Sequence, residues 1–125
     1  MLLVCRFTVP VSEVPSFTAR VGRALELLTA RPGCPRGSLG RSTDEEDLFV
    51  LTVEFDSVVA YRRALSPFDV REHVVPLLSE AIAEPAAFEP LLVAGGGEVE
   101  RLTSLVAADA GTVRLGEAAG PTTPR

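Results

Sequence analysis

The chain contains no lysine, so all twelve of its basic residues are arginine, and seventeen acidic residues give it a net charge of −5. An acidic chain without a basic patch does not neutralise nucleic-acid phosphates or an anionic lipid surface. Its apolar stretches are only a few residues long, far below the roughly 20 residues that a membrane-spanning helix needs. The sequence therefore predicts no nucleic-acid partner and no membrane partner.

Cysteine and histidine are also scarce: the chain has two cysteines, Cys5 and Cys34, and one histidine, His73. The cysteines form no Cys-x-x-Cys motif, and a lone histidine makes no metal site without partners from elsewhere, so no metal is predicted. The residues before Cys5 are too few for a signal peptide. We expect reduced thiols and a cytoplasmic protein.

The remaining composition is typical of one globular core, with 125 residues of which 46% are hydrophobic. Leu2 to Val9 is apolar and rich in β-branched residues, and it predicts a strand that Pro10 ends. Apolar residues then recur at helical spacing from Ser12, a candidate N-cap, to Arg31, where Pro32-Gly33 ends the helix. A weak strand at 36–43, an acidic hairpin turn at 44–47 and a strong strand at 48–55 are predicted to follow.

A second helical region is predicted to begin at Asp56 or Ser57, either of which can cap it. Ser66-Pro67 interrupts this region, with Ser66 as a new N-cap and the proline at the first helical position. Pro76 should then kink the helix or split it in two.

The last strand is predicted at 86–94, at a sheet edge because Pro90 cannot donate to a ladder. Three glycines at 95–97 are interpreted as the end of the compact unit. We therefore expect one domain over 1–94 and a glycine-rich linker with a partly mobile extension over 95–125. Within that extension the pattern permits a short helix through Val99, Leu102 and Val106 and a short strand at 112–115.

The order β-α-β-β-α-β is that of the ferredoxin-like split βαβ unit, an α+β fold with a four-stranded antiparallel sheet. Right-handed crossovers place both helical regions on one face of that sheet and leave the other face uncovered. A second copy of the chain is the simplest cover, so a homodimer is expected. The face predicted to need this cover carries the alternating residues Phe49, Leu51, Val53 and Phe55.

Three segments carry a further pattern. The first strand ends in Arg6-Phe7-Thr8-Val9, and the first helix is closed by Arg31-Pro32-Gly33-Cys34. The segment from Leu51 to Pro67 combines a strand, an aromatic residue, an acid-Ser step and a second aromatic residue, and the next helix bears a histidine. The residues at those places are Glu54-Phe55-Asp56-Ser57, Tyr61, Ser66 and His73. In these segments, and over about residues 2–94, the chain resembles the antibiotic biosynthesis monooxygenase family, whose members are dimeric α/β barrels.

The resemblance implies a cofactor-free oxidation of an electron-rich, polyketide-like phenolic molecule to a quinone. Such chemistry needs a group that accepts a proton, donors that hold the resulting oxyanion and an apolar pocket that excludes water. By position, Tyr61 would donate to a carbonyl oxygen, Arg71 would hold an anion and His73 would accept the proton. The residues that would line the pocket around a flat ligand are Phe7, Phe49, Phe55 and Phe68.

Haem is the ligand in an alternative hypothesis. Relatives of this fold that degrade haem hold the iron through a histidine at a position similar to His73, and they use an asparagine on the first strand and a tryptophan at the end of the third. Here Cys5 or Arg6 and Phe55 stand at those places, and the chain has neither Trp nor Asn. Haem breakdown by that route is not predicted, whereas haem binding through His73 remains an alternative. A non-catalytic dimeric ligand-binding module is the third hypothesis for the function.

Each candidate residue also has a purely structural interpretation. His73 would be a partly buried helix residue with one satisfied nitrogen, and Tyr61 a core residue whose hydroxyl reaches the surface. Arg71 would be a solvated arginine that pairs with nearby acids, and Cys5 a small apolar residue of a buried strand. The four phenylalanines would simply belong to the core.

Overall fold

The strand β1 (Leu2–Thr8) has hydrogen-bonded neighbours on both sides in the computed structural model of the chain, which describes residues 1–103. The other strands of its sheet are β2 (Arg36–Arg41), β3 (Leu48–Glu54) and β4 (Ala87–Phe88), in the order β2-β3-β1-β4. All the pairings are antiparallel. This arrangement, with helices between the strands, is the ferredoxin-like fold that the sequence predicts.

An acidic turn joins β2 to β3. Ser42 Oγ accepts hydrogen bonds from the backbone N–H groups of Asp44 and Glu45, at 3.1 and 3.0 Å. The residues from Asp44 to Asp47 are all exposed. The prediction of a solvated hairpin turn here is confirmed.

The helix α1 (Val14–Thr29) presents an apolar face to the sheet, formed by the buried residues Phe17, Val21, Ala24 and Leu28. A single turn of 3-10 helix (Val11–Glu13) precedes it, so Glu13 is the N-cap residue and the prediction of Ser12 as a cap is wrong. Pro15 lies in the first turn of α1, where its missing N–H needs no partner. The predicted end of the helix before Pro32-Gly33 is confirmed.

The second helical region consists of three short helices: α2 (Val58–Ala64), α3 (Phe68–His73) and α4 (Val75–Leu78). Ser57 caps α2, because its Oγ accepts a hydrogen bond of 3.0 Å from the backbone N–H of Ala60. The predicted break at Pro76 is confirmed, since this residue lies in the first turn of α4. Ser66 is not a cap as predicted: its hydroxyl donates to the Arg63 carbonyl, and Pro67 is the N-cap of α3.

The helices cover the face of the sheet that the sequence pattern predicts to be open. Phe49, Leu51, Val53 and Phe55 are at most 4% exposed, and they pack with buried residues of α1, α3 and α4. The prediction that this face needs a second copy as its cover is therefore wrong. Because side chains alternate along a strand, the opposite face carries Leu2, Val4, Leu48 and Val50, which are only partly buried.

The segment between α4 and β4 is held against the rest of its unit by two ion pairs. The Arg6 guanidinium donates to both carboxylate oxygens of Glu84, at 2.8 and 2.9 Å, and Arg20 donates to both oxygens of Glu80, at 3.1 and 2.7 Å. The backbone N–H of Ile82 also donates to the Arg6 carbonyl at 2.8 Å. These contacts bring the chain back beside β1, where β4 begins.

The last predicted strand is much shorter than expected. Only Ala87–Phe88 pair with β1, whereas Leu92–Gly95 form a separate strand, β5, that pairs with β6 (Glu98–Arg101). Proline at position 90 lies between the two pieces, where it cannot donate to a ladder. The prediction of a single strand over 86–94 is therefore wrong.

The three glycines lie within this hairpin. Gly96 and Gly97 form its two-residue turn with φ values of 59° and 83°, a combination that glycine adopts without steric cost. The chain forms two compact units, Met1–Phe88 and one that begins at Glu89. The division after residue 94 stays a prediction. Val99 lies in a strand and not in the predicted helix, while Val106, the strand at 112–115 and the mobile end lie outside the described residues.

Across residues 1–103, no helix combines the length and the apolar content that crossing a membrane requires.

Candidate functional site

Tyr61 is half-buried on α2, at the edge of the core. Its ring meets the Phe55 ring edge-on, with the centroids 5.2 Å apart and the planes at 65°. Burial raises the pKa of the Tyr61 phenol above its usual value, and the nearby Cys5 adds to the rise. The phenol is therefore a proton donor throughout the neutral pH range.

Cys5 and Cys34 are both buried free thiols. Burial raises the pKa of Cys5, with a further contribution from Glu84, and burial raises the pKa of Cys34, with a further contribution from Asp56. A thiol with a raised pKa is a poor nucleophile at neutral pH. Cys5 is 4% exposed, which agrees with its interpretation as a packing residue.

His73 and Arg71 lie on α3, and both are exposed. His73 Nε2 is 3.7 Å from Glu72 Oε1. The imidazole lines an open depression of about 340 Å³ together with Arg20, Arg23 and other residues of α1 and α4.

The three predicted catalytic residues have different neighbours. Tyr61 contacts Phe55, whereas His73 faces α1, and among residues 1–103 no hydrogen bond or ion pair joins Tyr61, Arg71 and His73 to one another. Within the same residues, no group of three or more His, Cys, Asp or Glu side chains is placed to hold a metal ion. A shared role for the three residues stays a prediction.

Three of the four predicted pocket phenylalanines are core residues. Phe7, Phe49 and Phe55 are between 2% and 4% exposed, whereas Phe68 is 71% exposed at the start of α3. Phe17, which the sequence analysis does not select, links two of them: its ring centroid is 5.1 Å from that of Phe7 and 5.5 Å from that of Phe49. The aromatic cluster therefore lies between β1, α1 and β3.

A second depression, of about 360 Å³, lies where the turn after α1 meets α2. We call it the turn depression. The backbone N–H of Asp56 donates to the Gly33 carbonyl at 2.8 Å and joins its two sides. Pro32-Gly33 predicts a helix end and carries part of the family resemblance, but its sequence does not predict a depression. The residues that line the depression are Arg31, Pro32, Gly33, Asp56, Ser57, Val59, Ala60, Arg63 and Ala64.

Comparison with known proteins gives structural neighbours only. No protein-family model matches the chain, and a search of curated proteins gives no match. Among solved structures, SnoaB, a cofactor-independent oxygenase from Streptomyces nogalater, is 26% identical, with 72% of this chain and 94% of that one covered at a TM-score of 0.57.

Two further neighbours share the fold at lower identity. A "putative antibiotic biosynthesis monooxygenase" from Nitrosomonas europaea is 17% identical over 67% of this chain and 87% of its own, with a TM-score of 0.54. Rv0793 from Mycobacterium tuberculosis is 18% identical over 83% of this chain and 93% of its own, with a TM-score of 0.55.

These neighbours share the fold of this chain. The chain has a ferredoxin-like fold that cofactor-independent oxygenases and monooxygenase-like proteins share. The resemblance to the antibiotic biosynthesis monooxygenase family, which the sequence predicts, is confirmed.

Proposed function

We propose that the protein is a cofactor-independent monooxygenase that acts on a phenolic aromatic molecule of the polyketide type. The observation that carries this proposal is the similarity to SnoaB, a cofactor-independent oxygenase, over 94% of that chain. The position of Tyr61 supports it. This residue brings a protonated phenol to the edge of an apolar, aromatic interior.

The Tyr61 phenol is suited to hold a substrate oxyanion. A phenolic substrate must lose a proton before it can pass an electron to dioxygen, and its oxygen then carries negative charge. A protonated phenol in a partly buried position donates a strong hydrogen bond to such an oxygen. The raised pKa of the Cys5 thiol keeps this neighbour neutral as well, so no thiolate repels the substrate anion.

The reaction itself needs only dioxygen as a co-reactant. A hydroxyanthrone loses the two hydrogens of its methylene carbon, one oxygen atom becomes the new carbonyl, and the other leaves as water. The first proton needs an acceptor, which we assign to His73, and Arg71 would attract the anion. Both residues are exposed on α3, so the substrate would reach them from solvent.

Oxygen consumption with a hydroxyanthrone, without added flavin or metal, tests the proposal. We expect turnover by the native protein, and we expect Tyr61→Phe to lower kcat on the order of a hundredfold. Arg62→Gln on the same helix is the matched control and should retain the native rate. Equal rates with and without protein would overturn the proposal.

Haem titration distinguishes the proposed oxygenase from the main alternative, which is a haem-binding protein. If His73 binds haem, a shifted Soret band appears on mixing, and His73→Ala removes it. We expect no such band. If His73 is instead the proton acceptor, His73→Ala lowers the oxidation rate and leaves the fold intact.

A homodimer belongs to this proposal. The open face of the sheet carries Leu2, Val4, Leu48 and Val50, each only partly buried within one copy of the chain. Phe88 pairs with Leu2 across the sheet, so it points to the same face, and it is 49% exposed. Sheets pack face to face through such surfaces, about 10 Å apart. A second copy would bury these apolar side chains.

A further inference from the structure

Arg31 contains a buried charged donor without an acceptor. Its Nε atom is inaccessible to solvent and makes no hydrogen bond with any of the described residues. Buried donors in proteins are almost always paired, because an unpaired one loses its hydration without compensation. Arg31 also lines the turn depression. The Arg31 side chain as a whole is only partly buried and makes no hydrogen bond or ion pair within residues 1–103. Its terminal N–H groups are therefore available to an acceptor bound in this depression.

A second guanidinium lines the same depression. Arg63 is exposed on α2, and its side chain has no hydrogen bond or ion pair with residues in the described part of the chain. Val59, Ala60 and Arg63 share one face of α2 because they are spaced by three and four residues. The close packing of Gly33 on Ala60 brings this face to the turn that carries Arg31. Two arginines far apart in sequence therefore line one space.

Charge and lining determine which anion fits. Arginine binds carboxylates and phosphates through paired N–H groups. Asp56 lines the depression too, and no ion pair links it to either arginine. Two arginines and one aspartate leave a net charge of one positive unit, which balances a monoanion better than a phosphate dianion. Pro32, Val59 and Ala60 add an apolar wall.

We propose that the turn depression binds a small monocarboxylic acid with an apolar body, whose carboxylate lies between Arg31 and Arg63. The apolar part would rest on Pro32 and Val59. The volume of about 360 Å³ is sufficient for a molecule of the size of benzoate. This site is separate from Tyr61, which contacts Phe55, and it does not depend on the proposed oxygenase activity.

Titration with sodium benzoate at constant ionic strength tests the proposal, with the arginine Nε–H resonances followed by NMR. We expect the Arg31 resonance to shift in a saturable way, because a carboxylate bound to its guanidinium changes the electrostatic environment of this N–H. The Arg62 resonance should stay in place, since this neighbouring side chain does not line the depression.

Three variants assign the shift. Arg31→Lys keeps the charge and removes the planar guanidinium with its paired donors, and Arg63→Gln removes the second guanidinium. Each should weaken benzoate binding on the order of tenfold or more. Arg62→Gln is the matched control with the same loss of charge on α2, and its affinity should equal that of the native protein. Circular dichroism of each variant establishes that it is folded.

Two results would overturn the assignment. Benzoate binding that is absent, or equally strong in the Arg63→Gln and Arg62→Gln variants, would show that the depression is not the site. Inorganic phosphate that binds more tightly than benzoate at equal ionic strength would show that the anion class is wrong. Asp56→Asn raises the net positive charge, so phosphate should gain affinity relative to benzoate in this variant.

Discussion

Gly33 approaches α2 so closely that a Cβ atom on this residue would lie 2.7 Å from the Cβ of Ala60. Its φ angle is 81°, in the left-handed region that favours glycine. Both facts limit the position to glycine, and both follow from the turn that ends α1. The contact places the turn against the first residues of α2.

Gly33→Ala is expected to lower the free energy of unfolding by about 1–3 kcal/mol, because it combines backbone strain with a side-chain clash. Gly22→Ala is the matched control. A Cβ at Gly22 would have no atom within 4 Å, and the position is inside α1, so the protein should gain about 0.5–1 kcal/mol. Urea denaturation measures the free energy of unfolding of both variants. Equal changes in the two would contradict this account of the turn.

The open face of the sheet predicts an association state. Sedimentation equilibrium should give about twice the chain mass of 13.3 kDa. Val50→Arg places a charge in the centre of the open face and should yield monomers. Val11→Arg, at a position 52% exposed in the turn before α1, should leave the dimer unchanged. A native protein that sediments as a monomer would refute the dimer.

Tyr61 can be observed directly, because it is the only tyrosine and the chain has no tryptophan. Burial raises its pKa, so the absorbance of tyrosinate should appear at a higher pH in the folded protein than in urea. The same titration of Cys5→Ala removes the smaller contribution of the thiol and should shift the folded curve slightly toward lower pH. A folded curve that coincides with the curve in urea would contradict the half-buried position.

Alkaline pH should destabilise the fold. The pKa values of Cys5, Cys34 and Tyr61 are all raised by burial above their usual values of 9.0, 9.0 and 10.0. Above about pH 9 the unfolded chain therefore releases protons that the folded chain retains, and the free energy of unfolding falls as the pH rises.

Urea midpoints at about pH 7 and at about pH 10 measure this loss. Cys5→Ala with Cys34→Ala should show a smaller loss between these two pH values than the native protein, whatever its stability at neutral pH. An equal loss in both proteins would exclude the thiols as its cause.

The hairpin turn depends on its glycines. Gly97→Val forces a β-branched residue to adopt a φ angle of 83°, and it should disrupt the pairing of β5 with β6. Gly95→Val, where φ is not positive, is the control and should preserve the pairing. Hydrogen exchange at the amides of the paired residues Ala94 and Val99 reports the difference. Equal protection in both variants would contradict the assigned turn.

The order of elements could be predicted from sequence because the periodicities of α1 and β3 are strong and the proline breaks are local. Which face of the sheet the helices cover could not be predicted from sequence. Phe49 and Leu51 alternate with Leu48 and Val50, so both faces of β3 are apolar, and alternation alone does not say which one faces the helices.

The candidate sites were less predictable than the fold. Family resemblance selects Tyr61, His73 and Arg71 by position. In the structure His73 lines a depression with residues of α1, whereas Tyr61 contacts Phe55. The turn depression was missed altogether, because Arg31 and Arg63 meet only through tertiary packing. The hairpin could have been predicted, because Gly-Gly between two short strand segments is typical of a two-residue turn.

The pairing of β1 has a consequence for biosynthesis. Leu2 pairs with Glu54 on one side and with Phe88 on the other. β1 therefore gains its first neighbour only after β3 has been synthesised, and its second only after β4 has been synthesised. Such long-range pairings form slowly, and an unpaired apolar strand edge attracts other chains. Until both neighbours are in place, the edges of β1 are open to pairing with another chain.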